Sequence, residues 1–495
     1  MRILYYNWVD YLDDEGRGGG VSLYQRNLMK SLGNEAVFLS SGISFDLLRK
    51  GPRWQAMRHG PLEDRERRYE IINSGVTSPA HHSFGVNSQV SHRPTTDVFA
   101  DFLIETGPYD IIHFQNLEGL PAEALRTASA SGAEVVFSLH NYYPLCPQVN
   151  LWRQENATCV DFENGQACID CVATKHPLGH IKLANGLAWH LKTAGMRPGH
   201  QPFDFIFKNA MRLGRRLPRR RHKPKNVAQS KSPDGLRFAD RRTAFIDLIN
   251  ETCSTVLCVS EAVRQLADSY GMSGDILQTD YIGTRQSGTY HQTKPRQRTS
   301  GQLTLAFLGY MRRDKGFYFL LSALETLPDS VLENVTLVLA AGKGDTETML
   351  RIENLGQRLR NLRYFDGYIH DELDDILDKV DVGVVPVLWH DNLPQVAIEI
   401  HSRKIPLLTS DMGGAQELGN CPEMTFKAGD VSAFRAKIEA LLSESVDMDA
   451  YWRNARAPIN VETHIENLKV IYSDLLSKRA AMKGAEYHGT ETVGS

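Results

Sequence analysis

Residues Asp381 to Leu418, DVGVVPVLWHDNLPQVAIEIHSRKIPLLTSDMGGAQEL, contain a strand, a helix and a second strand in one line of sequence. Val382 to Leu388 is a nearly unbroken apolar run with one proline, which suits a strand buried on both faces of a parallel sheet. A helix is expected next. Asp391 or Asn392 can cap it, and Pro394 falls in the first turn, where a missing N–H costs nothing. Ile405 to Thr409 reads as the following strand, after which Gly413-Gly414 turn the chain into a short helix beginning near Ala415. Such a unit sets a helix N-terminus at the carboxyl edge of a sheet, where free N–H groups and the positive end of the helix dipole favour phosphate. Asp391 and Glu399 frame that helix. At about 100° per residue they are offset by only about 80° around its axis, so both can face one cleft.

Upstream the same grammar repeats. Leu303 to Leu308 is a strand, and the turn Gly309 to Gly316 brings Arg312, Arg313 and Lys315 to the start of a helix over Phe317 to Leu327. Cations beside a helix N-terminus again describe an anion site. Val335 to Ala340 and Leu362 to Phe365 are further strands, the second followed by Asp366-Gly367-Tyr368. Gly342-Lys-Gly-Asp lacks the hydroxyl and spacing of a nucleotide phosphate loop. The first half of the chain begins with a strand at its N-terminus, then Gly18-Gly19-Gly20 and an amphipathic helix through VSLYQRNLMKSL. Asp110 to Gln115 and Glu134 to His140 are two more buried strands around a helical segment, Pro121 to Ser131. His140 therefore stands at the carboxyl end of a strand, where an open parallel sheet presents groups to its ligand crevice. Gly51 to Val98, rich in Arg, His and Ser, reads as a surface excursion. Ser260 is a natural N-cap for Glu261 to Tyr270, and Gly288 to Gly301 reads as a linker.

At 495 residues the chain is too long for one ordinary core. Its 42% apolar and 23% charged residues are the balance of a soluble globular protein, and a formal net charge of −3 predicts no general attraction to nucleic acid. The acidic residues after the first strand do not suit a signal peptide, and no apolar run approaches the roughly 20 residues of a membrane span. A cytoplasmic location with reduced cysteines is the expectation. Four of the seven cysteines, Cys146, Cys159, Cys168 and Cys171, fall within 26 residues. The closing Cys-Ile-Asp-Cys has metal-knuckle spacing, so structural zinc, unliganded thiols, and disulfides or an iron–sulfur cluster are all open readings. Between residues 179 and 230 an apolar, aromatic segment runs into Arg212, Arg215, Arg216, Arg219, Arg220, Arg221, Lys223 and Lys225. Residues 203–225 could lie on an anionic membrane surface or form a solvated loop.

The set Trp389, Asp391, Asn392, Pro394, Glu399, Pro406, Gly413-Gly414 and Glu417 resembles the donor-sugar site of the family-4 retaining nucleotide-sugar glycosyltransferases, whose signature is two acids separated by seven residues. Asp391 stands where most members have Glu, and Asn392-Leu393 replace a frequent Phe-Gly. Lys315-Gly316 match the family's phosphate grip, while Tyr310 occupies the place of its Arg. The resemblance implies an α/β protein of the GT-B fold, with two doubly wound Rossmann-like domains facing a central cleft. Residues 1–287 would form the acceptor-side domain, carrying the cysteine-rich loop 146–171 and the basic insertion 179–230. Residues 302–462 would bind the nucleotide sugar, 463–478 would return as a helix to the first domain, and 479–495 would be a frayed tail. It further implies that His140, Asp391 and Glu399 are catalytic. Gly19, Gly20, Arg312, Arg313, Lys315, Gly367, Asn392, Leu393 and Gln395 would bind the donor. The expected reaction moves a hexose from a nucleotide-diphosphate sugar to a glycan or lipid-linked acceptor with retention and with no metal in the chemistry, so any zinc would be structural. In family members an Asp follows the histidine; here Asn141 replaces it. A rival class is a zinc-knuckle binding protein that uses its basic segment on nucleic acid or anionic membrane.

Overall fold

The computed structural model describes residues 1–171, 177–216, 235–296 and 298–490. Its frame is two separate sheets. The first contains β1 (Ile3–Tyr6), β2 (Ala36–Ser41), β3 (Arg53–Ala56), β4 (Arg68–Ile72), β5 (Ile111–Phe114) and β6 (Glu134–Leu139). A two-stranded hairpin of β7 (Trp152–Arg153) and β8 (Ala157–Thr158) follows outside that sheet, and β9 (Thr255–Cys258) and β10 (Leu277–Thr279) complete it. The second holds β11 (Leu303–Gly309), β12 (Val335–Ala341), β13 (Asn361–Phe365), β14 (Val382–Val385), β15 (Leu407–Ser410) and β16 (Thr425–Phe426). The strand orders are β10-β9-β6-β5-β1-β2-β4-β3 and β13-β12-β11-β14-β15-β16. All pairs in both are parallel except β3 with β4.

Parallel strands covered by helices on both faces must be apolar on both, which explains the continuous runs of the sequence. Leu4 and Tyr6 of β1 enter one core cluster, Ile3 and Tyr5 the cluster on the opposite face. In β11, Leu303, Leu305 and Phe307 point into one cluster and Ala306 and Leu308 into the other.

Four expectations change. Residues 51–98 are no mere excursion, because β3 and β4 extend the first sheet through them. Arg68 and Glu70 disguise β4 in the sequence, yet both are buried: Arg68 pairs with Asp10, while Glu70 meets His59 at 3.0 Å and Ser44 at 2.5 Å. Part of the expected linker is helical, Ser287–Gln292. The final helix runs from Val461 to Thr490, so a regular helix occupies most of the expected frayed tail. Finally, the helix after β14 begins at Gln395 with Pro394 as its N-cap and no side-chain cap bond; neither Asp391 nor Asn392 caps it.

The basic insertion contains the helices Leu178–Thr193 and Phe203–Arg216, and the cations from Arg219 to Lys225 lie outside the described residues. Among the described residues no helix is long and apolar enough to cross a membrane.

Candidate functional site

A cavity of about 710 Å³ opens at the carboxyl ends of β11 and β14. Lys315, Asp391, Leu393, Gln395, Glu399 and Gly367 line it, and Gly20 reaches it from the first domain. Two glycine contacts explain how the chain closes so tightly here. Gly316 has φ +73°, and a Cβ on it would stand 1.7 Å from the Pro386 carbonyl oxygen, so only glycine lets the Lys315 turn pack on the end of the β14 segment. Gly413, with φ +77°, would set a Cβ 1.9 Å from the Asp391 carbonyl oxygen, and the Gly414 amide donates to that oxygen at 3.0 Å. The glycine pair thus fixes the backbone that carries Asp391.

Lys315 Nζ donates to Asp391 Oδ2 at 2.6 Å and lies 5.0 Å from the centre of the Trp389 ring. A cation is thereby held at the helix mouth by a carboxylate and an aromatic face. Glu399, one turn deeper, is buried. Its Oε1 lies 3.0 Å from His370 Nδ1, and its Oε2 accepts from the Tyr368 hydroxyl at 3.3 Å. Burial raises the Glu399 carboxyl above its ordinary range, with His370 and Tyr368 opposing that rise. Sequence reasoning missed His370; its only signal was its position three residues beyond Gly367, in the loop after β13.

The other expected donor ligands divide. Arg312 forks onto Asp314 at 3.0 and 2.9 Å, and Arg313 lies 5.8 Å from the Tyr318 ring centre. Neither lines the cavity, whereas Tyr310 does. Lys315 is therefore the cation that the 309–316 turn supplies to it. Asn392 belongs to the domain junction: its Nδ2 donates to the Leu139 carbonyl at 3.3 Å, and its own carbonyl accepts from Ser260 Oγ at 2.7 Å. Gly20 packs against the end of the Gln395 side chain, and a Cβ there would meet Gln395 Nε2 at 2.7 Å, so a larger residue would have to displace that amide. Gly19 is in the first turn of the same helix but does not line the cavity.

His140 lies at the end of β6 and is partly buried, outside the cavity lining. Its Nε2 is 2.6 Å from Gln115 Oε1, and its ring centre lies 5.0 Å from that of Tyr24. Burial, followed by the nearby His464, pushes the imidazole down to about 3, so it is neutral at physiological pH. Asn141 turns away and donates to Glu118 Oε1 at 3.1 Å; Gln115, in place of the family's Asp, orients the histidine.

Glu417 has a role that the motif did not disclose. Its carboxylate accepts from the amides of Glu261 and Ala262 at 2.9 and 2.7 Å and from the Tyr281 hydroxyl at 2.6 Å. An acid of the second domain thus caps the helix Glu261–Ser269 of the first, where the dipole favours it.

Residues 302–444 match the family described as "Glycosyl transferases group 1". No curated protein matches the sequence. Three solved structures share the architecture at low identity. HepE from Anabaena in complex with UDP is 14% identical, with a TM-score of 0.54 over 96% of this chain and 100% of its own. Sucrose-phosphate synthase from Thermosynechococcus elongatus is 14% identical, with a TM-score of 0.54 over 97% of this chain and 100% of its own. The lipopolysaccharide outer core galactosyltransferase WaaB, in its apo form, is 11% identical with a TM-score of 0.54 over 96% and 100%. The fold is therefore GT-B, two Rossmann-like domains facing one another.

Proposed function

We propose that the protein is a retaining glycosyltransferase that moves a hexose from a nucleotide-diphosphate sugar held in the 710 Å³ cavity to an acceptor on the first domain. One observation carries the reading: Lys315, Asp391 and Glu399 converge in a cleft between two Rossmann-like domains, within the segment matched by a glycosyltransferase family. The bond to be broken lies between the anomeric carbon and the diphosphate, so the charge that develops is on the departing phosphate. Lys315, which lines the cavity, would neutralise that charge, and the backbone of Leu393 and Gln395 at the helix mouth would add the positive end of a dipole. Asp391, now paired with Lys315, would share the lysine with the diphosphate and take hydroxyls of the sugar. Glu399 would exchange His370 and Tyr368 for the hydroxyls of the ribose. His140, neutral and held by Gln115, would reach the transferred sugar from the first domain. No metal enters the chemistry.

The acceptor is proposed to be a glycan or lipid-linked sugar presented at a membrane. The loop after β2 exposes Leu47, Leu48, Arg49 and Lys50 and packs on the helix Leu178–Thr193, where Gly186 sits under Leu47. Leu183 and Phe205 are exposed on the helical pair beside it. Apolar side chains among cations suit an anionic bilayer surface.

HepE holds UDP, so UDP-glucose is the first donor to titrate by calorimetry, followed by other common nucleotide sugars, with hydrolysis and transfer assayed in parallel. Micromolar binding of one donor, abolished by Lys315→Ala, is expected. If no nucleotide sugar binds or turns over, the reading fails. The zinc-knuckle binding protein gains no support beside the family match in the second domain.

A further inference from the structure

Among the described residues the sulfurs of Cys146, Cys159, Cys168 and Cys171 do not close on one point, since no three of them lie within 4.8 Å of one another. A second cavity does gather unengaged groups. It measures about 350 Å³ and lies between the domains, beside the one assigned to the donor. The helix Gly19–Leu32 contributes Asn27 to it, the segment after β10 contributes Arg285 and Gln286, and the second domain contributes Asp371. His370, Gln395 and Glu399 line both cavities, so the Glu399–His370 pair, 3.0 Å apart, stands in the wall between them. Lys315 and Asp391 line the first alone, whereas Arg285, Asn27 and Asp371 line the second alone.

The polar groups of this second cavity are largely unspent. Asn27 is 9% exposed; its Oδ1 accepts from Arg285 Nη2 at 3.0 Å, and its Nδ2 has no partner among the described residues. A guanidinium has five N–H donors, and that bond is the only one Arg285 makes to a described residue. Gln286 accepts from Arg403 Nη1 at 3.3 Å through its oxygen and keeps its nitrogen free among the described residues. Neither the Gln395 amide nor the Asp371 carboxylate has a partner there. Apolar surface completes the wall: Leu23, 39% exposed, with Ile282 and Ile398. These groups decide the ligand. Asp371 and Glu399 repel an anion and Arg285 repels a cation, whereas a hydroxyl is donor and acceptor at once and can meet amide, carboxylate and guanidinium together. A ring with hydroxyls on its edge and C–H on its faces fits both parts of the wall. The volume lies at the small end of the roughly 300–1,000 Å³ of ligand pockets.

We propose that this interdomain cavity is a saccharide site, separate from the donor cavity, in which Asn27, Arg285, Gln286 and Asp371 hold the hydroxyls of a neutral sugar. A sugar there touches both domains and shares the wall that carries Glu399, so its occupation is coupled to that of the donor cavity, and each ligand changes the affinity of the other by the same factor. The same chemistry serves a sugar unit of the acceptor or a free sugar that regulates the protein. The inference rests on the proposed glycosyl transfer only for the choice of a sugar among polyhydroxylated ligands.

The test uses the full chain and saturation-transfer NMR with the methyl glycosides of glucose, galactose and mannose, each with and without UDP. At least one glycoside should receive saturation and keep it when UDP fills the donor cavity. Arg285→Ala and Asn27→Ala should each weaken that glycoside by at least about tenfold, while UDP affinity measured by calorimetry without glycoside stays at the wild-type value. Arg285 is exposed, so Arg285→Ala keeps the test open should Asn27→Ala fold poorly. During turnover of a nucleotide sugar, a glycoside that stands for the acceptor is consumed and its KM rises in both variants; one that stands for a regulator is recovered unchanged and shifts the donor KM. Loss of the signal on adding UDP would place the sugar in the donor cavity and overturn the site, as would the absence of saturation in all three glycosides or equal binding by wild type and both variants. Glycoside binding without any UDP binding would count against the proposed function and not against this site.

Discussion

Glu399 is a buried acid whose two oxygens are already engaged by residues of the neighbouring loop, His370 and Tyr368. Under the proposed function, a group held in this way would need little reorganisation to take ribose hydroxyls instead. Glu399→Gln and Lys315→Ala should each reduce transfer by at least about 10²-fold, the factor that corresponds to about 2.7 kcal/mol of lost transition-state stabilisation. Circular dichroism should be unchanged. Near-normal rates in both variants would remove the donor-site assignment. Asp391→Glu should retain more activity than Asp391→Ala, since the longer acid can still meet Lys315. Far from the cleft, Glu70 sets a pH limit on stability. Burial alone would raise its carboxyl, but His59, Ser44 and Gln55 outweigh burial and hold it down to about 2. An acid whose folded pKa lies below its unfolded value stabilises the fold above the unfolded value, and the contribution is lost as pH falls through the folded one. Glu70→Gln should therefore cost about 3 kcal/mol in denaturant titrations at neutral pH, with the gap to wild type closing between about pH 4.5 and pH 2. A gap that stays constant over that range would show that packing, not charge, is responsible.

At the scale of elements, helix ends and strand ends of the two domains meet at the junction. Glu417 caps the helix Glu261–Ser269 across the junction, and Ser260 and Leu139 hold Asn392 beside it. Glu417→Ala should loosen this junction. The expected outcome is a wider range of interdomain separations in small-angle scattering and a donor affinity reduced several-fold, with the stability of the isolated transitions little changed. Wild-type scattering from the variant would mean that Ser260 and Asn392 suffice. In the exposed loop after β2, Leu48→Asp should weaken co-sedimentation with anionic vesicles while leaving donor affinity intact; equal sedimentation would remove the membrane from the reading. What the sequence disclosed at this scale follows from burial. Strands such as β11 and β14 were legible because both faces are apolar, so composition alone marks them. β4 was not, because Arg68 and Glu70 sit in the sheet with partners from residues 10, 44 and 59 that no local window contains. The acids at 391 and 399 were legible as a pair, but the capping role given to Asp391 was not its own: Lys315, 76 residues earlier, holds its carboxylate. Likewise Gly413-Gly414 and Glu417 were visible as a motif, while their work at the domain junction depends on Ser260 and the helix after it.

At the scale of the whole molecule, the helix Val461–Thr490 leaves the second domain and packs on the first. Val461, Ile465, Leu468 and Tyr472 share one core cluster with Ile3, Tyr5, Leu28, Phe38, Ile111 and Val136. Polar contacts fix the register of that packing: the Tyr472 hydroxyl lies 3.0 Å from that of Tyr5 and 2.6 Å from His113 Nδ1, and the Tyr24 hydroxyl lies 2.7 Å from His464 Nε2. His113 is fully buried and has Ser138 Oγ 2.7 Å from its other nitrogen, so removing Tyr472 would leave an imidazole nitrogen unsatisfied as well as a cavity. Tyr472→Ala should accordingly cost about 3–5 kcal/mol, as large-to-small changes of buried aromatics do, and Tyr472→Phe only about 1–3 kcal/mol through the orphaned polar partners. Because the helix packs into a core cluster of the first domain and His464 also acts on His140 from it, the loss should appear in the unfolding of the first domain although the mutation follows the second in sequence. Denaturant unfolding followed by tryptophan fluorescence, with and without donor nucleotide, separates the two domains: donor should protect the second transition and leave the first at its lowered midpoint. An unchanged first transition in Tyr472→Ala would mean that the helix merely rests on a first domain already complete without it.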